Sequence, residues 1–105
     1  MNTYQEPLTA LGDATRRAVL EQLRNGPRAV GEIAAQLPVS RPAVSQHLRV
    51  LEEAGLVSAT REGTRRLYRV EPDGVAAVRD YFDSFWSTAL EQFKAAAEAS
   101  AKEER

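Results

Sequence analysis

At 105 residues, with 43% hydrophobic and 28% charged side chains, the chain fits one small folded domain with a modest core and is not composed like a disordered segment. The absence of cysteine excludes disulfides, thiolate metal ligation and thiol redox sensing, and no apolar run approaches the roughly 18 residues of a membrane span. The formal net charge of −1 conceals an uneven distribution: residues 41–70 hold six arginines against three glutamates, whereas residues 71–105 hold four basic against eight acidic side chains. A polyanion responds to the local field, so the basic middle matters more than the total. The first residues lack a basic-then-apolar leader pattern, and a soluble cytoplasmic protein is expected.

In chain order, Leu8 and Leu11 suggest a short first helix broken by Gly12-Asp13, with Asp13 suited to cap the next. That second helix runs to about Arg24 on the stripe Ala18, Val19, Leu20 and Leu23, and Asn25-Gly26-Pro27 stops it. Val30, Ile33, Ala34 and Leu37 form the buried face of a third helix ended by Pro38. Ser40 is the N-cap of a fourth, with Pro42 in its first turn. Val44, Leu48 and Leu51 face the core, Arg41, Ser45, Gln46 and Arg49 face away, and Gly55 ends the helix left-handed so that Leu56 packs back.

From Val57 to Val70 the period changes to two, predicting a hairpin joined near Glu62-Gly63-Thr64. Val57, Leu67 and Ala59 are expected inward, and Arg61, Arg65, Arg66 and Arg69 at or near solvent. Pro72-Asp73-Gly74 reads as a turn and helix start, and a long helix follows from about Val75 to Ala99. Its stripe of Val75, Val78, Phe82, Phe85, Trp86, Ala89, Leu90 and Phe93 is more apolar surface than one small body readily covers. A twofold interface with the first helix of a second copy explains this better than packing on its own domain.

Two amphipathic helices around a short break, a polar outward face on the second, and an arginine-rich hairpin make a helix-turn-helix layout. Residues LTALGDATRRAVLEQL at 8–23, SRPAVSQHLRVLEEAGLV at 40–57 and GTRRLYRV at 63–70 resemble, in order and spacing, the ArsR family of winged helix-turn-helix repressors. The resemblance implies a mainly α fold with a small β-hairpin, in the order α-α-α-α-β-β-α, dimerised by its terminal helices. The whole chain, 1–105, is expected to be one such domain: residues 8–70 as the DNA-binding core, 1–12 and 73–99 as dimerisation helices, and 100–105 as a frayed tail. It further implies a homodimer whose recognition helices enter successive major grooves of an imperfect palindrome in double-stranded DNA, roughly 34 Å apart. Such a dimer occludes a promoter, often its own.

On that basis Arg41 is placed either to read guanine with two parallel hydrogen bonds or to clamp a phosphate. Gln46 suits adenine, Ser45 a base edge or phosphate, and Pro42 a thymine methyl. Arg49 and the amides following Ser40 suit phosphate. Arg61, Arg65 and Arg66 flank the hairpin tip and are expected, with Thr64, along the flanking DNA backbone or minor groove. Arg16 and Arg17 suit either backbone contacts or internal salt bridges. His47, the lone histidine, reads as a hydrogen-bonded boundary residue and builds neither a metal site nor a triad. The expected dimer interface comprises Leu8, Leu11, Val78, Phe82, Phe85, Trp86, Ala89, Leu90 and Phe93.

Metal sensors in the family often carry a cysteine pair on the third helix, where this chain has Ala34 and Gln36. Asp73, Asp80 and Asp83 on the last helix have no histidine beside them and suit hard cations rather than zinc or copper. No metal, cofactor or enzymatic activity is therefore expected, and any effector is unknown. An organic ligand among Phe82, Trp86 and Phe93, and a winged-helix module that binds protein instead of DNA, are the alternatives.

Overall fold

The computed structural model describes residues 5–103. The elements follow the expected order: α1 (Gln5–Ala10), α2 (Ala14–Glu21), α3 (Val30–Ala34), α4 (Arg41–Glu53), β1 (Val57–Glu62), β2 (Arg65–Val70) and α5 (Pro72–Glu103). Residues 1–4 of the expected first dimerisation segment, and 104–105 of the expected tail, lie outside the described residues.

Asp13 caps α2 as anticipated, its carboxylate accepting the Arg16 amide at 2.9 Å. The helix closes three residues before Arg24, because its last amides turn to carbonyls three residues back: Leu23 donates to Leu20 at 2.9 Å and Arg24 to Glu21 at 3.1 Å. Likewise α3 stops at Ala34, short of Leu37. Pro38 stands where an amide would have to donate to the Ala34 carbonyl, so the last turn tightens and Gln36 bonds Ile33 at 3.0 Å instead. Leu37 still packs against the core from the loop.

Ser40 Oγ accepts the Ala43 amide at 3.2 Å and Pro42 sits in the first turn, so α4 begins as its sequence predicts. It ends in a Schellman motif. Gly55, at φ +78, lets its own amide reach Glu52 at 3.0 Å and the Leu56 amide reach Leu51 at 2.9 Å. Leu56 is thereby driven into the core, and its carbonyl accepts the Glu71 amide at 2.8 Å, which fixes where α5 departs. Pro72, Asp73 and Gly74 form the first turn of α5 itself, not a separate turn.

The hairpin corrects one expectation. Leu67 lies across from Thr60, on the opposite face from Val57 and Ala59, and Tyr68 takes the inward position across from Ala59. Tyr68 is 7% exposed. A tip of three residues, Glu62-Gly63-Thr64, would have brought Leu67 inward; the actual tip is Gly63-Thr64, with Glu62 paired to Arg65. One residue fewer in the turn exchanges the two faces of β2. Tyr68 also exchanges both backbone hydrogen bonds with Arg28, at 3.0 and 2.9 Å, so the loop before α3 adds a one-residue third strand.

The core gathers Val19 and Leu23, Ile33, then Val44, Leu48 and Leu51, closed by Leu56, Val57 and Tyr68. Each of the aliphatic members contributes about 1.5–3 kcal/mol by leaving water. α5 contributes no buried residue. It runs on through Glu103, past Ala99, and stretches the molecule to 72 × 29 × 22 Å. The radius of gyration is 19.4 Å, against about 13 Å for a compact chain of this length.

Candidate nucleic-acid interface

Two elements converge on one side of the molecule. Arg41, Pro42, Ser45, Gln46 and Arg49 are all exposed on α4 and fall within an arc of about 140° of its circumference. Because Val44, Leu48 and Leu51 are wholly buried on the other side, this polar arc has a fixed outward orientation. The wing then brings Thr64, Arg65 and Arg66 into a cleft shared with Gly31 and Glu32 of α3 and with Arg41 at the start of α4. Six of the ten expected contact residues therefore lie outside that cleft: Ser40, Pro42, Ser45, Gln46 and Arg49 around α4, and Arg61 on β1.

Arg41 is exposed, yet its guanidinium lies back over Gly31, where a Cβ would come within 2.5 Å of Nη2. Only glycine leaves that space, so the small residue in α3 determines how Arg41 rests. To reach a base edge the side chain must swing outward, a rotamer change available to an exposed arginine.

Three of the other arginines meet carboxylates. Arg65 Nη2 pairs with Glu32, Arg66 Nη2 lies 3.5 Å from Glu52, and Arg49 Nε lies 4.0 Å from Glu53. Arg66 also stacks over the Tyr68 ring at 5.3 Å. Arg61 stands directly across the hairpin from Arg66. Like charges so placed repel, and an anion between the strands would relieve them. None of these carboxylates was singled out from the sequence. Glu32 and Arg65 are 33 residues apart, so no local pattern announces the pair.

Glu32 also accepts the Ala29 amide at 2.9 Å, the half of a capping box that the third helical residue supplies. That backbone hydrogen bond, aided by Arg65 and Arg28, holds its carboxyl below the ordinary glutamate range. The Arg16 amide does the same for Asp13, with smaller pulls from His47 and the Arg16 guanidinium.

Arg16 and Arg17 meet main-chain carbonyls instead of the carboxylates of the expected salt bridges. Arg16 Nη1 donates to the Ala10 carbonyl at 3.2 Å and Arg17 Nη1 to the Leu11 carbonyl at 2.6 Å, so both close the C-terminal end of α1. His47 is half-buried at the edge of the core, as expected, but its buried Nδ1 has no hydrogen-bond partner among the described residues. Its boundary position holds. Asp73, Asp80 and Asp83 are exposed along α5, and among the described residues no three His, Cys, Asp or Glu side chains converge on a point that could hold a metal ion. Among the same residues no helix is long and apolar enough to cross a membrane.

Of the expected dimer residues, Leu8, Leu11 and Val78 are half-buried against their own chain. Phe82, Phe85, Trp86, Leu90 and Phe93 are 51–72% exposed, and Ala89 is exposed between them.

A sequence profile described as "Bacterial regulatory protein, arsR family" matches residues 13–59, from the Asp13 cap to the first strand. The HTH-type transcriptional regulator Rv2034 of Mycobacterium tuberculosis is 56% identical over 93 residues, which cover 86% of this chain and 87% of that protein. The HTH-type transcriptional repressor SmtB of the same species is 41% identical over 73 residues, 70% of this chain and 54% of the repressor, so the match spans about half of it. The homodimeric winged helix-turn-helix DNA-binding domain Mb0332 of Mycobacterium bovis, solved by NMR, superposes with a TM-score of 0.66 at 32% identity, covering 81% of this chain and 79% of that one. Sequence and fold agree over nearly the full described length, and the chain belongs to the arsR family of bacterial regulatory proteins.

Proposed function

We propose that the protein is a homodimeric, sequence-specific DNA-binding repressor that occupies an imperfect palindrome in a promoter, its own among the candidates, and acts in the cytoplasm as a regulator and not as an enzyme. The observation that carries this is the polar arc of α4, held outward by a buried opposite face and flanked by the arginine wing. In this arrangement Arg41, Pro42, Ser45 and Gln46 meet base edges in the major groove. Arg49 and the amides after Ser40 take phosphates, and Arg61, Thr64, Arg65 and Arg66 lie along the flanking backbone. Residues 8–70 form the DNA-binding core.

Dimerisation is assigned to α1 and residues 73–99, because five large apolar side chains of α5 stand more than half exposed in the single chain. A contiguous patch of that size on a small protein is normally covered. A second copy places two α4 helices about one turn of duplex apart, which dictates a palindromic site.

Selection of bound sequences from a random DNA pool tests the whole assignment. The expected result is one inverted repeat with half-sites about one helical turn apart and an affinity that falls steeply with salt. No enrichment at low salt, together with a stable complex with another protein, would establish the protein-binding module instead.

A further inference from the structure

We propose that Glu32 and Glu52 form an electrostatic latch on the wing: each occupies an arginine that a DNA phosphate would otherwise take, and together they cap the affinity for DNA of any sequence. This rests on the DNA-binding assignment above and adds to it a pair of acidic residues that weaken the complex.

The geometry is specific to the wing. Arg65 reaches back to Glu32 on α3, and Arg66 reaches Glu52 on α4 with both carboxylate oxygens at 3.5 Å. Each link joins the hairpin to a different helix of the helix-turn-helix. The paired side chains are 57% and 49% exposed in one case and 58% and 37% in the other. Exposed ion pairs of this kind contribute little to stability, so holding the fold together does not account for their placement. They are also easily broken. What each pair does is neutralise a cation in the cleft that Arg41, Thr64, Arg65 and Arg66 line.

Glu52 has a second effect, since Arg66 lies across from Arg61 and its neutralisation relieves that repulsion in the free protein. When a phosphate displaces Glu52, the phosphate inherits this role and the freed carboxylate is left beside a polyanion. Glu32 keeps its Ala29 amide and stays in place, negatively charged, when Arg65 leaves it. Every duplex meets this opposition, because phosphates carry no sequence.

The test uses the full chain with two probes, a mixed-sequence duplex and the duplex enriched from the random pool, titrated across a salt series. Glu52→Gln should bind both probes about two- to fivefold more tightly, the scale of one exposed ion pair. Its plot of log affinity against log salt should steepen by up to about 0.9, since one more arginine then releases counterions. In an Arg66→Ala background the same change should have a smaller effect, that of removing the carboxylate's charge alone. Glu32→Gln, whose amide oxygen still accepts the Ala29 amide, should act independently through Arg65. Unchanged affinity in both glutamine variants, or an equal gain from Glu98→Gln on distant α5, overturns the latch. A gain undiminished without Arg66 overturns it too. Failure of the unmodified protein to bind either duplex overturns the DNA-binding assignment itself.

Discussion

Arg41 and Arg66 both sit in the cleft between α4 and the wing, yet they differ in what they can read. Arg41 starts a helix whose polar arc faces outward, so in the proposed complex it offers a planar fork to a guanine edge. Arg66 stacks on Tyr68 beside Glu52, and in the same proposed complex it faces the DNA backbone. Arg41→Ala should cost about 1–3 kcal/mol on the selected site and relax preference at one base pair, while Arg66→Ala should weaken all duplexes alike. Competition assays with point-substituted sites separate the two, and equal losses on selected and random DNA for Arg41→Ala would remove its base-reading role. Asp13 lends itself to a pH experiment. Its native carboxyl is held below its ordinary value by the Arg16 amide. The charged cap therefore stabilises the fold above the unfolded pKa, and that contribution disappears as pH falls through the lower native value. Asp13→Asn keeps an oxygen acceptor and abolishes the titration, so its stability should fall less between about pH 5 and pH 2 than that of the unmodified protein. Parallel acid-unfolding curves would contradict this.

At the level of elements, the wing shows how much one turn residue controls. With Gly63 at φ +66 and Thr64 at an ordinary negative φ, the loop is two residues long and has the pattern of a primed type II turn. That length puts Tyr68 against the core and Leu67 across from Thr60. Tyr68→Ala should cost about 3 kcal/mol or more, as removal of a buried aromatic ring does. Leu67→Ala should cost less than about 1 kcal/mol, as at a half-exposed site. Urea unfolding of the two variants decides between the registers, because the alternative reverses the order. The helix ends follow the same logic of backbone supply and demand. Pro38 shortens α3 by withholding an amide, while Gly55 ends α4 by accepting a conformation that other residues resist.

Viewed whole, the molecule has a compact head and a long α5 with no fully buried residue. Trp86, the single tryptophan, lies at 66% exposure in the middle of the apolar stripe. In the proposed dimer it is covered, so its emission should shift to the red on dilution as the copies separate, at the same concentration at which sedimentation reports monomers. Trp86→Glu should be monomeric at micromolar concentration and lose the palindromic site while keeping the far-ultraviolet spectrum of the head. Emission independent of concentration, with a monomeric sedimentation profile throughout, would refute assembly through this face. Leu8, Leu11 and Val78 are already half-buried at home, and in the proposed dimer they form the seam between head and interface.

The identity and order of the elements, both serine and aspartate caps, the Gly55 stop and the core face of α4 were legible in the residues themselves. Each depends on groups within a few positions of one another, where helix periodicity and backbone hydrogen bonding act directly. Tertiary structure alone decided the hairpin register, the Arg28–Tyr68 bridge, the resting place of Arg41 over Gly31 and the carboxylate partners of Arg65 and Arg66. A one-residue change in turn length reverses a strand without altering its pattern. Charges 14 or 33 positions apart meet only after the helices have packed, so no periodicity in the chain records them.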